Sequence, residues 1–383
     1  MRKVCVVVGS RANYGSIKSA MREIQKRSDL QLQLVIAASA LLDRYGSAAE
    51  FIEKDGFTPA ARVYMLIEGE NPTTMAKSTG LGLLELPTVF DRLEPDVVLT
   101  VGDRFETMAT TMAAAYMNIP LAHTMGGEVS GNIDESIRHA VTKFANIHFP
   151  ACSEARDRIV RMGEDPQRVH LVGCPRIDLV AEIIEKHRHA PESEIFSEGV
   201  GGKFDLSQPF VMVSQHPVTN EYGDGERQIG ETLTAAAKTG LPALVFWPNP
   251  DAGSEDVARG IRKFREHNDD SRMHFFKNLP TEEYVRLMMS TSCLVGNSSS
   301  AIREGAFIGT PAVNVGTRQA RRQRGKNVID VAHDRDSITT AVLMQAKHGR
   351  YERESINGAG NAGQQIAEIL SSCSLETHKQ MTY

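Results

Sequence analysis

Short uninterrupted apolar runs, each about one strand long, recur along this chain with helix-period segments between them. Val4–Val8, Leu32–Ala37, Asp96–Val101, Pro120–Thr124, Ile147–Pro150 and Val169–Val172 form a first series. Phe210–Ser214, Ala243–Trp247, Met273–Phe276, Cys293–Val295 and Ala312–Val315 form a second. Runs of this kind are strands buried on both faces, and intervening helices such as Gly15–Lys26 and Glu106–Met117 are the crossovers of a parallel sheet. Residues 186–206, KHRHAPESEIFSEGVGGKFDL, are charged, Gly-rich and without period, and predict a linker. The pattern therefore predicts an α/β protein of two Rossmann-like domains facing a central cleft. The expected domains are 1–185, 206–360, and a C-terminal helix and tail over 361–383. That helix, Gly363–Leu370, can pack on either domain, and the residues after it read as a frayed tail.

Bulk properties narrow the function. A chain of 383 residues with a net charge of −5 has no general affinity for nucleic acid, so any anion site must be local. The start, MRKVCVVVGS, has too brief an apolar run for a signal peptide and reads as a first strand. No apolar segment approaches the ~20 residues that span a membrane. The five cysteines show no paired spacing, as expected of reduced thiols in a cytoplasm. Metal-ligand spacings, a P-loop and a GxSxG elbow are missing from the sequence, so proton chemistry without metal or cofactor is expected.

In open parallel sheets, ligands lie beyond the carboxyl ends of the strands. The chemically interesting residues sit there. GSRANYG (9–15) opens the first helix with a Gly/Ser turn, and Arg11 could clamp a diphosphate; the alternative is a routine turn with a solvated arginine. In GDRFE (102–106), Asp103 is either a helix N-cap or a cleft carboxylate. Glu128 holds the equivalent place on the next strand, roughly 5 Å away, so the two carboxylates can share a pocket and divide into acid and base. Asp134 is placed to cap the helix that carries Arg138, His139 and Lys143, with His139 either on its surface or in the site. His216, held extended by Pro217 at a strand end, can bond a phosphate or move a proton. Ser298, Ser299 and Ser300 stand where a helix should begin and make a diphosphate cradle; Glu304 could accept from ribose hydroxyls, and Arg318 adds a cationic loop.

These stretches together resemble the hydrolysing UDP-N-acetylglucosamine 2-epimerase family. The matching motifs are GSRANYG, GDRFE, GGEVSGNIDESIRHAVTK, GCPRID, QHPVT, PNPDAGS, GNSSSAIREGAF and GTRQ, in the family's order from residue 9 to 319. GDR, GGEVSG and QHPVT distinguish this branch from the non-hydrolysing one, which carries GDT, VEAG and HRREN. The resemblance implies a glycosyltransferase-B-like fold and a metal-free reaction. UDP would leave C1 as the C2 proton is removed, and water would add to the resulting 2-acetamidoglucal to give N-acetylmannosamine for sialic-acid-type sugars. Carried over by motif, Asp103, Glu128 and Asp134 match catalytic acids and bases, and Arg11 and His216 match diphosphate and acid-catalysis positions. Asp178 matches a substrate-side position. Asn249, Ser298, Ser299, Glu304 and Arg318 match the nucleotide site, and Asn278 with Leu279 would frame the uracil. Asn13 departs from the acidic residue common at its place, which leaves it a binding role. A homodimer or homotetramer is implied.

Three other readings compete. A 2-epimerase of UDP-2,4-diacetamido-2,4,6-trideoxy-glucose, on a legionaminic-type pathway, differs only around C4 and C6 of the sugar. A UDP-sugar glycosyltransferase would replace water by an acceptor, which the dense carboxylates of the first domain argue against. A nucleotide-sugar sensor would keep no use for Asp103 or Glu128, although burying them for binding alone is costly.

Overall fold

A computed structural model describes residues 1–43, 47–69, 71–130, 133–187, 193–248, 253–268 and 272–382. The chain divides into two compact units. The first comprises Met1–Glu128, Ile133–Leu179 and Asn357–Tyr383, and the second is built on Val180–Ile356. The division falls inside a helix, upstream of the linker expected at 186–206.

In the first unit the strands are β1 (Arg2–Val8), β2 (Leu30–Ala37), β3 (Pro59–Val63), β4 (Val97–Val101), β5 (Leu121–Thr124) and β6 (Ile147–Phe149). They form one sheet in the order β3-β2-β1-β4-β5-β6, with every pairing parallel. The helices are α1 (Arg11–Gly15), α2 (Lys18–Lys26), α3 (Ala48–Lys54), α4 (Pro72–Leu93), α5 (Phe105–Tyr116), α6 (Asp134–Phe144), α7 (Ser153–Arg161) and the start of α8 (Pro175–Lys186). Alternate residues of β1 feed different cores. Val4, Val6 and Val8 join one cluster with Ile17, Met21 and Ile24, while Cys5 and Val7 join another with Leu86 and Phe90. A sheet covered on both faces explains the uninterrupted apolar runs.

The second unit repeats this plan. Its strands are β7 (Val200–Gly201), β8 (Val211–Ser214), β9 (Ala243–Phe246), β10 (Met273–Phe276), β11 (Cys293–Gly296), β12 (Ala312–Val315) and β13 (Val328–Val331). The helices are α9 (Gly225–Lys238), α10 (Ser254–His267), α11 (Thr281–Ser290), α12 (Glu304–Ile308) and α13 (Arg335–His348). The sheet runs β13-β12-β11-β8-β9-β10-β7; β7 is antiparallel and the rest parallel. Counted from β8, its parallel strands follow the same order as the first sheet, the Rossmann order.

Several local expectations are corrected. The helix expected over Gly15–Lys26 is two helices broken at Ser16 and Ile17. Val169–Val172 forms no strand, only one bridge from Val169 to His148. Inside the expected linker lie a 3-10 turn, Ser193–Ser197, and the edge strand β7. The sequence reading missed β3, α4 and β13. Helix α4 starts at a capping box, with Asn71 Oδ1 accepting from Thr74 N at 3.0 Å and Thr74 Oγ1 accepting from Asn71 N at 3.2 Å.

The C-terminal helix α14 (Ala362–Ser372) packs Ile366, Ala367 and Leu370 into the β1 core of the first unit. Its first turn is held by Asp178, which accepts from Ala362 N at 3.0 Å, Gly363 N at 2.7 Å and Ser19 Oγ at 2.8 Å. Nor is the tail frayed. Asn146 Nδ2 donates to Thr377 O at 2.9 Å, Arg168 Nη2 to Glu376 Oε2 at 3.0 Å, and Thr382 N to Gly163 O at 3.0 Å. Lys379 Nζ reaches Glu164 Oε2 at 2.7 Å. Glu164, 3% exposed, also takes Lys143 Nζ and His148 Nε2, and these donors hold its carboxyl down at about 2 against the cost of burial. Taking one partner from a buried ionic cluster is costly. Lys379→Ala should lower unfolding free energy by about 1–3 kcal/mol, less than for an isolated buried pair because Lys143 remains. Truncation after Cys373 should cost more. Chemical denaturation checks both, and an unchanged midpoint in the truncated chain would show that the tail is not a strap.

Candidate active site

In each sheet the strand order reverses beside its first strand, and in open α/β sheets ligands lie beyond the carboxyl ends at such a point. In the first unit this point lies between β1 and β4, and in the second between β8 and β11.

At the first switch point, Ser10 caps the five-residue α1, its Oγ accepting from Asn13 N at 3.2 Å. Asn13 Oδ1 accepts from Gly9 N at 3.3 Å, so its side chain closes the turn. Two amides expected to face an anion are thus used within the turn, and the binding potential of this loop rests on Arg11. The Arg11 guanidinium lies 5.1 Å from the Phe51 ring centroid, and burial together with the nearby charge of Arg176 brings it down to about 10. It stays protonated at neutral pH.

Asp103 follows Gly102 at the end of β4. It is not the cap of α5, since Arg104 occupies that position. Its Oδ2 instead accepts from Arg138 Nη2. Arg138, 2% exposed, donates from Nη1 to the carbonyl oxygen of Glu128 at 2.7 Å. One buried guanidinium therefore joins the loop after β4 to the loop after β5, tying the Asp103 carboxylate to the Glu128 backbone. Glu128 is itself 4% exposed. The turn before it needs glycine: Gly127 has φ +75°, and a β-carbon there would stand 2.4 Å from Ala155 O. Asp134 is the first residue of α6, preceded by Ile133 at the cap, so the expected capping bond is not made. Its carboxylate still lies at the favourable end of the helix dipole. His139 Nε2 lies 3.7 Å from Glu135 Oε1 on the same helix.

Behind this constellation sits His123, fully buried on β5. Its Nε2 is 2.7 Å from Gly102 O and its Nδ1 3.3 Å from Thr142 Oγ1, which fits the neutral tautomer donating from Nε2. Burial pushes it down to about 3.

At the second switch point, His216 N donates to Asn297 Oδ1 at 2.7 Å, and Asn297 Nδ2 donates to His216 O at 2.9 Å. This reciprocal pair ties the end of β8 to the end of β11, a role for Asn297 that sequence reasoning missed. Gly296 is required beneath it: φ is +124°, and a β-carbon would stand 2.3 Å from Ser214 O. Asn297 O accepts from Gln319 Nε2 at 2.9 Å and Arg318 Nη1 at 3.3 Å, which brings Arg318 to the same loop. The expected serine-capped helix is a 3-10 turn, Ser299–Ala301, capped by Ser298 Oγ and followed by the five-residue α12. Ser298 Oγ and Ser300 Oγ are 2.8 Å apart, and Ser299 is half-buried. Glu304 opens α12 and is buried. Leu279 is buried in the core, whereas Asn278 is exposed and turns its Oδ1 to Leu279 N. Asn249 lies outside the described residues. Asp178 holds the first turn of α14, as described above. Among the described residues, no three His, Cys, Asp or Glu side chains converge as metal ligands, and no helix is long and apolar enough to cross a membrane.

The His123 environment sets a pH dependence. Its folded value lies below the ordinary 6.5, so its contribution to stability is complete above about 6.5 and lost as pH falls toward about 3. His148, also lowered by burial, acts with the same sign. Unfolding free energy should fall below about pH 6.5, by up to ~1.4 kcal/mol per pH unit for each such group. His123→Gln, which cannot ionise, should flatten that slope; an unchanged slope would mean that His123 is not buried neutral.

Residues 22–371 match the family described as UDP-N-acetylglucosamine 2-epimerase. A UDP-N,N'-diacetylbacillosamine 2-epimerase (hydrolyzing) of Legionella pneumophila is 30% identical over 98% of this chain and 97% of its own. A UDP-N-acetylglucosamine 2-epimerase of Neisseria meningitidis serogroup B is 27% identical over 97% and 95%. Among solved structures, the UDP-GlcNAc 2-epimerase of Methanocaldococcus jannaschii in complex with UDP-GlcNAc and UDP superposes with a TM-score of 0.81 at 16% identity, covering 96% of this chain and 99% of that one. That of Neisseria meningitidis bound to UDP-GlcNAc gives 0.79 at 18% identity, with the same coverage. The fold is thus the glycosyltransferase-B-like α/β fold of two parallel-sheet domains, and the chain belongs to the UDP-N-acetylglucosamine 2-epimerase family.

Proposed function

We propose that the chain is a hydrolysing UDP-N-acetylglucosamine 2-epimerase, converting UDP-N-acetylglucosamine and water to N-acetylmannosamine and UDP. The observation that supports this reading is the buried Arg138, which ties the Asp103 carboxylate to the backbone of Glu128, the two residues assigned here as acid and base. The C2 proton of such a sugar is not next to a carbonyl, so its removal must be coupled to departure of the anionic UDP. One carboxylate takes the proton, the C1–O bond breaks, and a C1–C2 double bond forms. Water then adds its oxygen to C1, and a proton returns to C2 from the opposite face with Asp134 at hand. Arg11, His216, Ser298, Ser299 and Arg318 offset the charge on the leaving diphosphate. Glu304, Asn249, Asn278 and Leu279 are assigned to the nucleoside. No metal or cofactor enters this scheme.

A second reading is favoured by the Legionella relative: the same elimination and hydration on a UDP-2,4-diacetamido-2,4,6-trideoxy sugar. Release of UDP from each sugar, without an acceptor, separates the two. Turnover that appears only with an acceptor would instead indicate a glycosyltransferase. Asp103→Asn and Glu128→Gln should each lower kcat by ~10²–10⁴ while leaving UDP affinity within a few-fold. Near-normal turnover in either variant would remove that residue from the proposed acid–base pair.

A further inference from the structure

Glu106 is a charged residue at the first switch point that the proposed chemistry leaves without a task. It stands in the first turn of α5, three residues after Asp103, and is 2% exposed. Its Oε1 accepts from Arg104 Nε at 2.8 Å. Its Oε2 is buried with no hydrogen-bond partner among the described residues. The side chain runs back over the end of β1: a β-carbon on Gly9 would stand 2.2 Å from Glu106 Cγ, 2.9 Å from Cδ and 3.0 Å from Oε1. The Gly9 backbone cannot retreat from it. Gly9 O accepts from Ser39 Oγ at 3.0 Å and from Ala40 N at 3.2 Å, and Gly9 N is bonded to Asn13.

A buried carboxylate with one unsatisfied oxygen is costly, and packing alone would favour an apolar or amide side chain. Besides lying at the favourable end of the α5 dipole, its charge holds Arg104, the residue that follows Asp103 and enters α5. We propose that Glu106 is a positioning residue: seated on Gly9, it holds Arg104 and so keeps the Gly102–Arg104 loop in register with the Gly9–Arg11 turn. Asp103 and Arg11 are then presented from adjacent strand ends at a fixed separation. The kinetic consequence rests on the epimerase reading; the coupling of the two loops does not.

Glu106→Gln keeps the size and removes the charge. It should lower kcat for UDP release ~10–100-fold, the scale of a small misplacement of reacting groups, with KM moved less than about three-fold. Glu106→Asp, which restores a carboxylate, should recover part of the loss. Gly9→Ala must displace Glu106 and should reproduce the defect. In Gly9→Ala/Glu106→Ala the collision is relieved, so the melting temperature should recover while kcat stays low. Hydrogen exchange on the substrate-free chain gives a readout independent of activity: in Glu106→Gln, the amides of residues 9–13 and 102–104 should speed up together. Wild-type kcat with wild-type exchange in Glu106→Gln would overturn the proposal. So would a kcat defect that follows the melting temperature alone and disappears in the double variant. If the wild-type chain releases no UDP from any UDP-2-acetamido sugar, the functional reading fails, and the exchange result alone decides the role of Glu106.

Discussion

The guanidinium of Arg138 is the interaction on which the rest of the first unit's site depends. A cation almost wholly withdrawn from water is tolerable only when its donors are used, and losing a partner of such an ion costs roughly 3–5 kcal/mol. Here the donors span two loops, one to the Asp103 carboxylate and one to the Glu128 backbone. The same helix places Thr142 against His123, whose other nitrogen meets Gly102 O, next to Asp103. Helix α6 therefore fixes the loop after β4 both through an ion pair and through a neutral histidine. The placement of the Asp103 carboxylate and of the Glu128 backbone is a property of that helix as much as of the strand ends.

The two units solve the same problem with different chemistry. Each must hold two loops side by side at a switch point, where the backbone has left the hydrogen bonding of the sheet. In the second unit a neutral side chain does this, Asn297 bonding the backbone N–H and C=O of His216. In the first unit charged side chains do it, Arg138 from α6 and Arg104 with Glu106 from α5. The neutral clasp suits a unit proposed to bind an anionic nucleotide, whose charge is met by Arg318 and the serine turn. The charged clasp suits a unit proposed to move protons, where carboxylates must be kept apart and oriented.

Much of this was legible in the sequence, for a physical reason. Strands such as β4, β8 and β11 are buried on both faces, so their apolar runs are unbroken and their carboxyl ends point to the site residues. Edge strands β3 and β13 are half-exposed, with an arginine or an aspartate among four or five residues, and carry no such signal. Helix α4 carries Gly80, Gly82 and Pro87, residues of low helix propensity that weaken its local signal; its buried face of Ser78, Gly82, Leu86 and Phe90 is set by tertiary packing. Asp103 and Glu128 were visible as carboxylates at strand ends, but their partner was not. Arg138 meets Asp103 across 35 residues and Asn297 meets His216 across 81, separations that no local pattern encodes. Asp178 shows the converse: a carboxylate in a matching motif, bonded in the structure to the backbone of a helix nearly two hundred residues away.

The central claim is that this constellation removes and returns a proton at C2 while UDP leaves C1. Turnover of UDP-N-acetylglucosamine in deuterated water, followed by NMR of the released sugar, tests it most directly. The account predicts N-acetylmannosamine carrying one deuterium at C2 from the first turnover, together with one equivalent of UDP. Release of UDP with N-acetylglucosamine that keeps its protium at C2 would contradict it, because simple hydrolysis needs no base for that proton.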